Sequence, residues 1–229
     1  MPFQRYGLQH LVVLGATLLS MVVLVALVRR TRSESLRWTV RVGLAVALLG
    51  LTGVFLVQAA RRGDMRWWDF VPLQLCDMAI FVGVYALLTL RPLAAELLYF
   101  WGGAGTLIAL LTPDVAHSFP SWEFVFFFGL HAAVVLSAAV VVFGFDRRPR
   151  PRAAWRVLGI TALYAAAVGV VNAATGANFM YLRAKPQAGS LLDWLGPWPV
   201  YILAAAGVAL LLFLALEKAG RVGYPARSL

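Results

Sequence analysis

One cysteine, Cys76, in 229 residues closes no disulfide within the chain and offers no cysteine-based metal site. Charge is nearly as scarce. Asp, Glu, Lys and Arg together make 13% of the chain, roughly half of what a soluble domain carries. The three histidines, at 10, 117 and 131, have no short ligand spacing, so neither a metal nor another cofactor is expected. What fills the chain is hydrophobic, 62% of it, with a mean hydropathy of +0.81. Soluble fold classes drop out, and an all-α, polytopic membrane helix bundle remains. The net charge of +10 does not speak for nucleic acid. The arginines gather in two short loops, where they signal topology and meet anionic lipid heads. Membrane lipids are the expected partners, and the oligomeric state stays open.

A membrane span needs about 20 mostly apolar residues. Seven stretches qualify, near 8–28, 40–60, 70–90, 93–112, 122–144, 155–176 and 199–217, in a single integral domain covering 1–229. The first is expected to remain as a span, because only Arg5 precedes it and Arg29, Arg30 and Arg32 follow it. With the N-terminus outside, 14 of the 20 Lys and Arg residues fall inside and 6 outside. The positive-inside rule therefore predicts seven helices, N-out and C-in, in a plasma membrane such as the bacterial cytoplasmic membrane. Trp38, Trp67, Trp68, Trp122, Trp155, Trp194 and Trp198 fall near span ends, as interfacial anchors should. Gly102, Gly103 and Gly105 in span four, and Ala165, Ala166, Ala167, Gly169, Ala173 and Ala174 in span six, predict close helix packing. The basic run 146–152 reads as a short solvated link.

The polar side chains are placed unevenly. Cys76 and Asp77, together with Gln74, interrupt the start of span three. At 1.5 Å per residue Cys76 lies roughly 10 Å below the outer surface and His131 of span five roughly 13 Å. Asn172 falls near the outer end of span six, and Asn178, Tyr181, Lys185 and Asp193 in the outer connection after it. Asp114, His117 and Glu123 flank the outer loop between spans four and five, and Glu96 alone among the span residues lies toward the inner side. Intramembrane ionisable groups are costly and mark sites. A thiol and an imidazole at one depth are the parts of an activated nucleophile. If the helix of span three opens at Pro72, Cys76 sits about one turn in, within reach of the dipole that favours a thiolate. The bland readings stand beside this: Cys76 as a small buried hydrophobe, His131 and Asp77 as hydrogen-bonded packing residues. His10 and His117 read as solvated interface residues, and Glu96 as a snorkelling partner of Arg91.

The set Pro72-Leu73-x-x-Cys76, Phe100-Trp101-Gly102 with Thr112-Pro113-Asp114, and Phe128-Gly129-Leu130-His131 resembles the YwaF family of bacterial integral membrane proteins. Asn172, Asn178-Phe179-Met180-Tyr181-Leu182 with Lys185-Pro186, and Gly196 with Trp198-Pro199 and Tyr201 extend the resemblance over roughly 64–217. The resemblance implies kinship with eukaryotic transmembrane acyltransferases acting on ether phospholipids, in which a cysteine and a histidine form the active pair. It also implies a more distant tie to membrane hydrolases that use threonine and histidine. The matching positions here are Cys76 and His131. Gln74, Asp77, Asn172, Asn178, Tyr181 and Lys185 are then the expected substrate-binding residues.

The sequence thus predicts a lipid acyltransferase or acyl-ester hydrolase working near the outer leaflet. A small-solute or proton-coupled transporter is the alternative, though its polar residues would have to line a path across the membrane. An opsin-type receptor is disfavoured, because no lysine lies within span seven. A purely structural subunit gives the clustered polarity no use.

Overall fold

Lipid offers no water to backbone N–H and C=O groups, so each apolar run must close its hydrogen bonds within itself. In the computed structural model, which describes residues 2–63, 70–186 and 191–222, the runs do so as helices. These are α1 (Leu8–Arg30), α2 (Glu34–Arg62), α3 (Leu75–Thr89), α4 (Pro92–Leu111), α5 (Trp122–Gly144), α6 (Ala153–Thr175) and α7 (Val200–Arg221). Six are long and apolar enough to cross a membrane, and α3, with 15 residues, is shorter. Trp67, Trp68, Arg66 and Arg227 lie outside the described residues.

The short third helix departs from the expected run of 70–90. Helix does not begin at Pro72. It begins at Leu75, where the carboxylate of Asp77 accepts the backbone N–H of Gln74 at 3.3 Å and closes the first turn. A 15-residue helix spans about 22 Å, less than the ~30 Å apolar core. The helix is therefore too short to cross the whole apolar core by itself.

Helices α4 and α5 form the centre, with 61% and 56% of their apolar windows buried, whereas α1, α2, α6 and α7 bury only 6–17% of theirs. The outer four therefore turn apolar faces to lipid, as at Leu19, Leu163, Leu203 and Leu211. Gly102 and Gly103 permit the central approach: a Cβ on Gly102 would lie 3.3 Å from that of Ala138, and one on Gly103 3.1 Å from Leu216. The corresponding expectation for α6 fails. Ala166, Ala167, Ala173 and Ala174 are exposed, and a Cβ on Gly169 would meet nothing within 4 Å.

One end of the bundle gathers the N-terminus and the loop 112–121. Phe3 N–H donates to Ala116 O and Ser118 Oγ to Pro2 O, both at 3.0 Å, and Gln9 Oε1 accepts from Phe119 N at 3.0 Å. His10 takes part in this seam and is not solvated. It is fully buried, with Nε2 2.8 Å from Leu110 O and Nδ1 accepting the Tyr6 N–H at 3.0 Å. The backbone of two other elements satisfies it where water was expected to. His117 is exposed and pairs with Glu123 at 3.1 Å.

The opposite end is basic and ordered by two acids, Glu96 buried and Glu217 partly buried. Glu96, 1% exposed, does not use Arg91. Arg150 grips both of its oxygens at 2.8 and 3.0 Å, and Arg156 adds a contact at 3.3 Å. The hydrogen bond to Glu96 holds the Arg150 guanidinium more basic than usual. Glu217 accepts the N–H groups of Arg152 and Ala154 at the start of α6, and Arg148 donates to Gly220 O. So 146–152 is a clasp between α4, α6 and α7, where a solvated link was expected. Its arginines find carboxylates and carbonyls that a free loop would leave to water. Replacing Glu96 by Leu strands two half-exposed arginines and releases that clasp. The expected cost is about 2–3 kcal/mol, read as a lower unfolding midpoint in detergent, with Glu96→Gln intermediate.

Candidate functional site

Cys76 is the second residue of α3, closer to the helix N-terminus than an opening at Pro72 would put it. The positive end of the dipole acts there in favour of a thiolate, and the neighbouring Asp77 carboxylate opposes it, so the thiol needs a base to react. The side chain is exposed, and its thiol contacts Asp77 Oδ1 at 3.8 Å. Asp77 therefore serves two neighbours, capping α3 with one oxygen and facing the thiol with the other.

The segment after α6 is laid against this helix start and pinned from several sides. Gln74 Oε1 accepts the Met180 N–H at 2.8 Å, and Tyr164 donates its hydroxyl to Leu73 O at 3.0 Å. Asn172, fully buried, donates to Phe179 O and accepts from Phe179 N, both at 2.9 Å. Asn178 donates to Ala184 O and accepts from the N–H groups of Arg183 and Ala184. Both asparagine amides are thus engaged with backbone at 2.8–3.1 Å, and the job the geometry gives them is to hold the segment. What they hold is strained. Met180 and Tyr181 carry φ of +55° and +54°, a left-handed conformation that costs about 1–3 kcal/mol for each non-glycine residue and collects at functional sites. Tyr201 donates its hydroxyl to Tyr181 O, Trp198 bonds Leu182 O, and Lys185 lies 4.0 Å from Asp193 and 5.6 Å from the Tyr201 ring centroid. The Tyr181 phenol is pushed above its ordinary pKa by burial, and negative charge on Cys76 and Asp114 acts in the same sense. Tyr181 is thus within electrostatic reach of Cys76 and of Asp114.

His131 sits on α5 with its Nδ1–H donated to Phe127 O at 2.7 Å and its ring stacked on Phe127, centroids 4.1 Å apart. This fixes the tautomer and leaves Nε2 as the acceptor nitrogen, the form a general base needs. Cys76 and His131 are not hydrogen-bonded to each other: the thiol contacts Asp77 and the imidazole Phe127.

Helix register relates their depths. A Cβ on Gly83 of α3 would lie 3.2 Å from Leu98 of α4. About two turns from that contact, back along α3 and forward along α4, stand Cys76 and Gly105. Between α4 and α5, Gly102 faces Val134 and Ala138, and two turns further out Leu110 packs with Phe124 and Phe128. Midway between those contacts stand Thr106 and His131. The three helices pack against one another through this region. Cys76, Thr106 and His131 therefore share one level. A surface cleft of about 590 Å³ between α6 and α7 lies at the basic end beside Arg152, Trp155, Lys218 and Arg221.

Sequence reasoning passed over Thr106. It follows three glycines that announce close packing, and a helical threonine is ordinarily assumed to bond its own backbone.

The fold and the placement of its polar groups define a multi-pass helical membrane protein. The sequence profile of the TMEM164 family matches residues 5–217, and the chain belongs to that family. It is also similar to an uncharacterized protein of Treponema pallidum (strain Nichols), 29% identical over 219 residues, covering 93% of this chain and 88% of that one. No solved structure matches it.

Proposed function

We propose that this protein is a membrane-embedded lipid acyltransferase or acyl-ester hydrolase, in which Cys76 is the nucleophile and His131 the general base. One observation carries the reading most: a free, exposed thiol on the first turn of a helix, level with an imidazole whose Nε2 is open. The resemblance to the YwaF family, with its acyltransferase kin, points to the same two residues. Seven crossings with the N-terminus outside and the C-terminus cytoplasmic complete the proposal. The concentration of arginine at the end opposite the N-terminus supports that orientation.

The chemistry follows from the groups present. His131 Nε2 takes the thiol proton, and Cys76 sulfur attacks the carbonyl carbon of an acyl ester. The C–O bond to the departing alcohol breaks, and His131 returns the proton to that oxygen. A lysolipid hydroxyl or water then gives its proton to His131 and attacks the thioester carbon. The C–S bond breaks and the sulfur is reprotonated. The thiol and imidazole must close a gap that substrate would bridge, and apo sites are commonly looser than the reacting state. Tyr181 and Lys185 stand at the rim, where a polar head group would enter, and Gln74, Asp77, Asn172 and Asn178 shape the rim through their bonds to backbone.

Lipid profiling of proteoliposomes tests the activity. Wild type is expected to redistribute acyl chains among phospholipids or release free fatty acid. Unchanged lipids, with proton or solute flux that depends on Asp77, would replace this reading with the transporter. Reporter fusions test the orientation: those after Arg37 and Arg150 should read cytoplasmic and one after Asp114 external, and a cytoplasmic signal at Asp114 would overturn it.

A further inference from the structure

Threonines in these helices follow a rule, and one breaks it. Thr17, Thr39, Thr52, Thr161 and Thr175 each donate the hydroxyl to the carbonyl four residues back, at 2.8–2.9 Å. This back-bond is how a hydroxyl is satisfied where no water reaches. Thr106 is 2% exposed, and among the described residues its Oγ1 alone is a buried side-chain oxygen or nitrogen without a hydrogen-bond partner. The backbone explains the exception. Residues Trp101–Thr106 form a π-helical turn, and the Gly102 carbonyl, four residues before Thr106, accepts the N–H of Leu107 five residues on. The wider turn takes the usual acceptor out of line. Such turns are rare and frequently lie at functional sites.

The orphaned hydroxyl also has a defined setting. Gly102 on the same helix face meets Val134 and Ala138, and Leu98, two turns back, meets Gly83. Thr106 therefore faces the seam between α3 and α5, at the level of Cys76 and His131. A buried donor left unpaired costs about 1–3 kcal/mol. By helix register, the protein keeps one at the level of its only thiol.

We propose that Thr106 is the oxyanion donor of the acyl-transfer site: its Oγ–H binds the carbonyl oxygen of the substrate ester as that oxygen becomes negative under attack by Cys76. The inference rests on the acyl-transfer reading. Thr106 forms no covalent bond and exchanges no proton. It strengthens one hydrogen bond in the transition state, and the same bond serves again when the acceptor attacks the thioester. The asparagine amides, engaged with backbone, leave this role open.

The test compares Thr106→Val and Thr106→Ser with wild type in detergent and in proteoliposomes, using phospholipid as substrate and Cys76→Ser as reference. Valine is expected to lower kcat by about 10²–10³-fold, the range for loss of one oxyanion-hole donor, with little change in KM. Serine is expected to restore most of it. Valine should also leave the unfolding midpoint unchanged or raise it, because it removes an unsatisfied buried hydroxyl. A structural role predicts the reverse, a lower midpoint with activity lost in proportion to folded protein. Wild-type kcat in Thr106→Val beside an inactive Cys76→Ser would overturn the Thr106 assignment and leave the thiol mechanism standing. Full activity in Cys76→Ser would remove the mechanism on which the assignment rests.

Discussion

His131→Ala is expected to lower the lipid acyl-transfer or ester-cleaving rate by about 10²–10⁴-fold, the usual worth of a positioned general base, with the protein still folded in the membrane. Cys76→Ser should fall at least as far. Serine matches cysteine in size but is a far poorer nucleophile when its base is not already in contact, and here the imidazole and thiol are not hydrogen-bonded. Neither side chain supports the fold alone. Cys76 is exposed and its thiol bonds the adjacent Asp77, and His131 bonds its own helix at Phe127. Thermal midpoints of both variants should stay near wild type while initial rates collapse. Rates that fell only as fast as folded protein was lost would make the pair structural.

Asn172→Leu is expected to be the most damaging single change at the end of the bundle that holds Cys76. The amide satisfies both the N–H and the C=O of Phe179 from a fully buried position. Leucine fits the volume but leaves two backbone groups unpaired, and each costs about 1–3 kcal/mol. The expected loss is about 2–4 kcal/mol, concentrated in the strained turn Phe179–Tyr181, which no longer has a clamp to hold Met180 and Tyr181 at positive φ. Hydrogen exchange should rise sharply at 179–182 and little in α4 and α5. Uniform protection across the chain would show that Gln74 and Tyr201 suffice to hold the turn.

The residues that the sequence misjudged share a physical cause. Long apolar runs place themselves, because lipid leaves them one solution, and six helices fall close to their expected bounds. The third was drawn too long because Pro72 suits a first helical turn, yet the cap formed by Gln74 and Asp77 wins three residues later. His10 was assigned to water because it stands near the membrane interface, but the turn at Tyr6 and, through tertiary packing, Leu110 satisfy its two ring nitrogens. Glu96 was given the nearest arginine in sequence, and the loop brought Arg150 and Arg156 closer in space. Thr106 hid behind an assumption about helix geometry that a π-helical turn cancels. Cys76 and His131 became candidates because His131 is an isolated polar group in an apolar run and Cys76 stands with Gln74 and Asp77 where another run is interrupted, and that signal needs no tertiary information.

Trapping the acyl-enzyme is the most direct measurement of the central claim. Purified protein is incubated with a phospholipid bearing an alkyne-tagged acyl chain, quenched in acid and mapped by mass spectrometry. The account predicts one tagged residue, Cys76, carrying a thioester that neutral hydroxylamine releases, with slower labelling in His131→Ala. Turnover of the tagged lipid by protein that carries no acyl group on Cys76, or by Cys76→Ser at the wild-type rate, would contradict it.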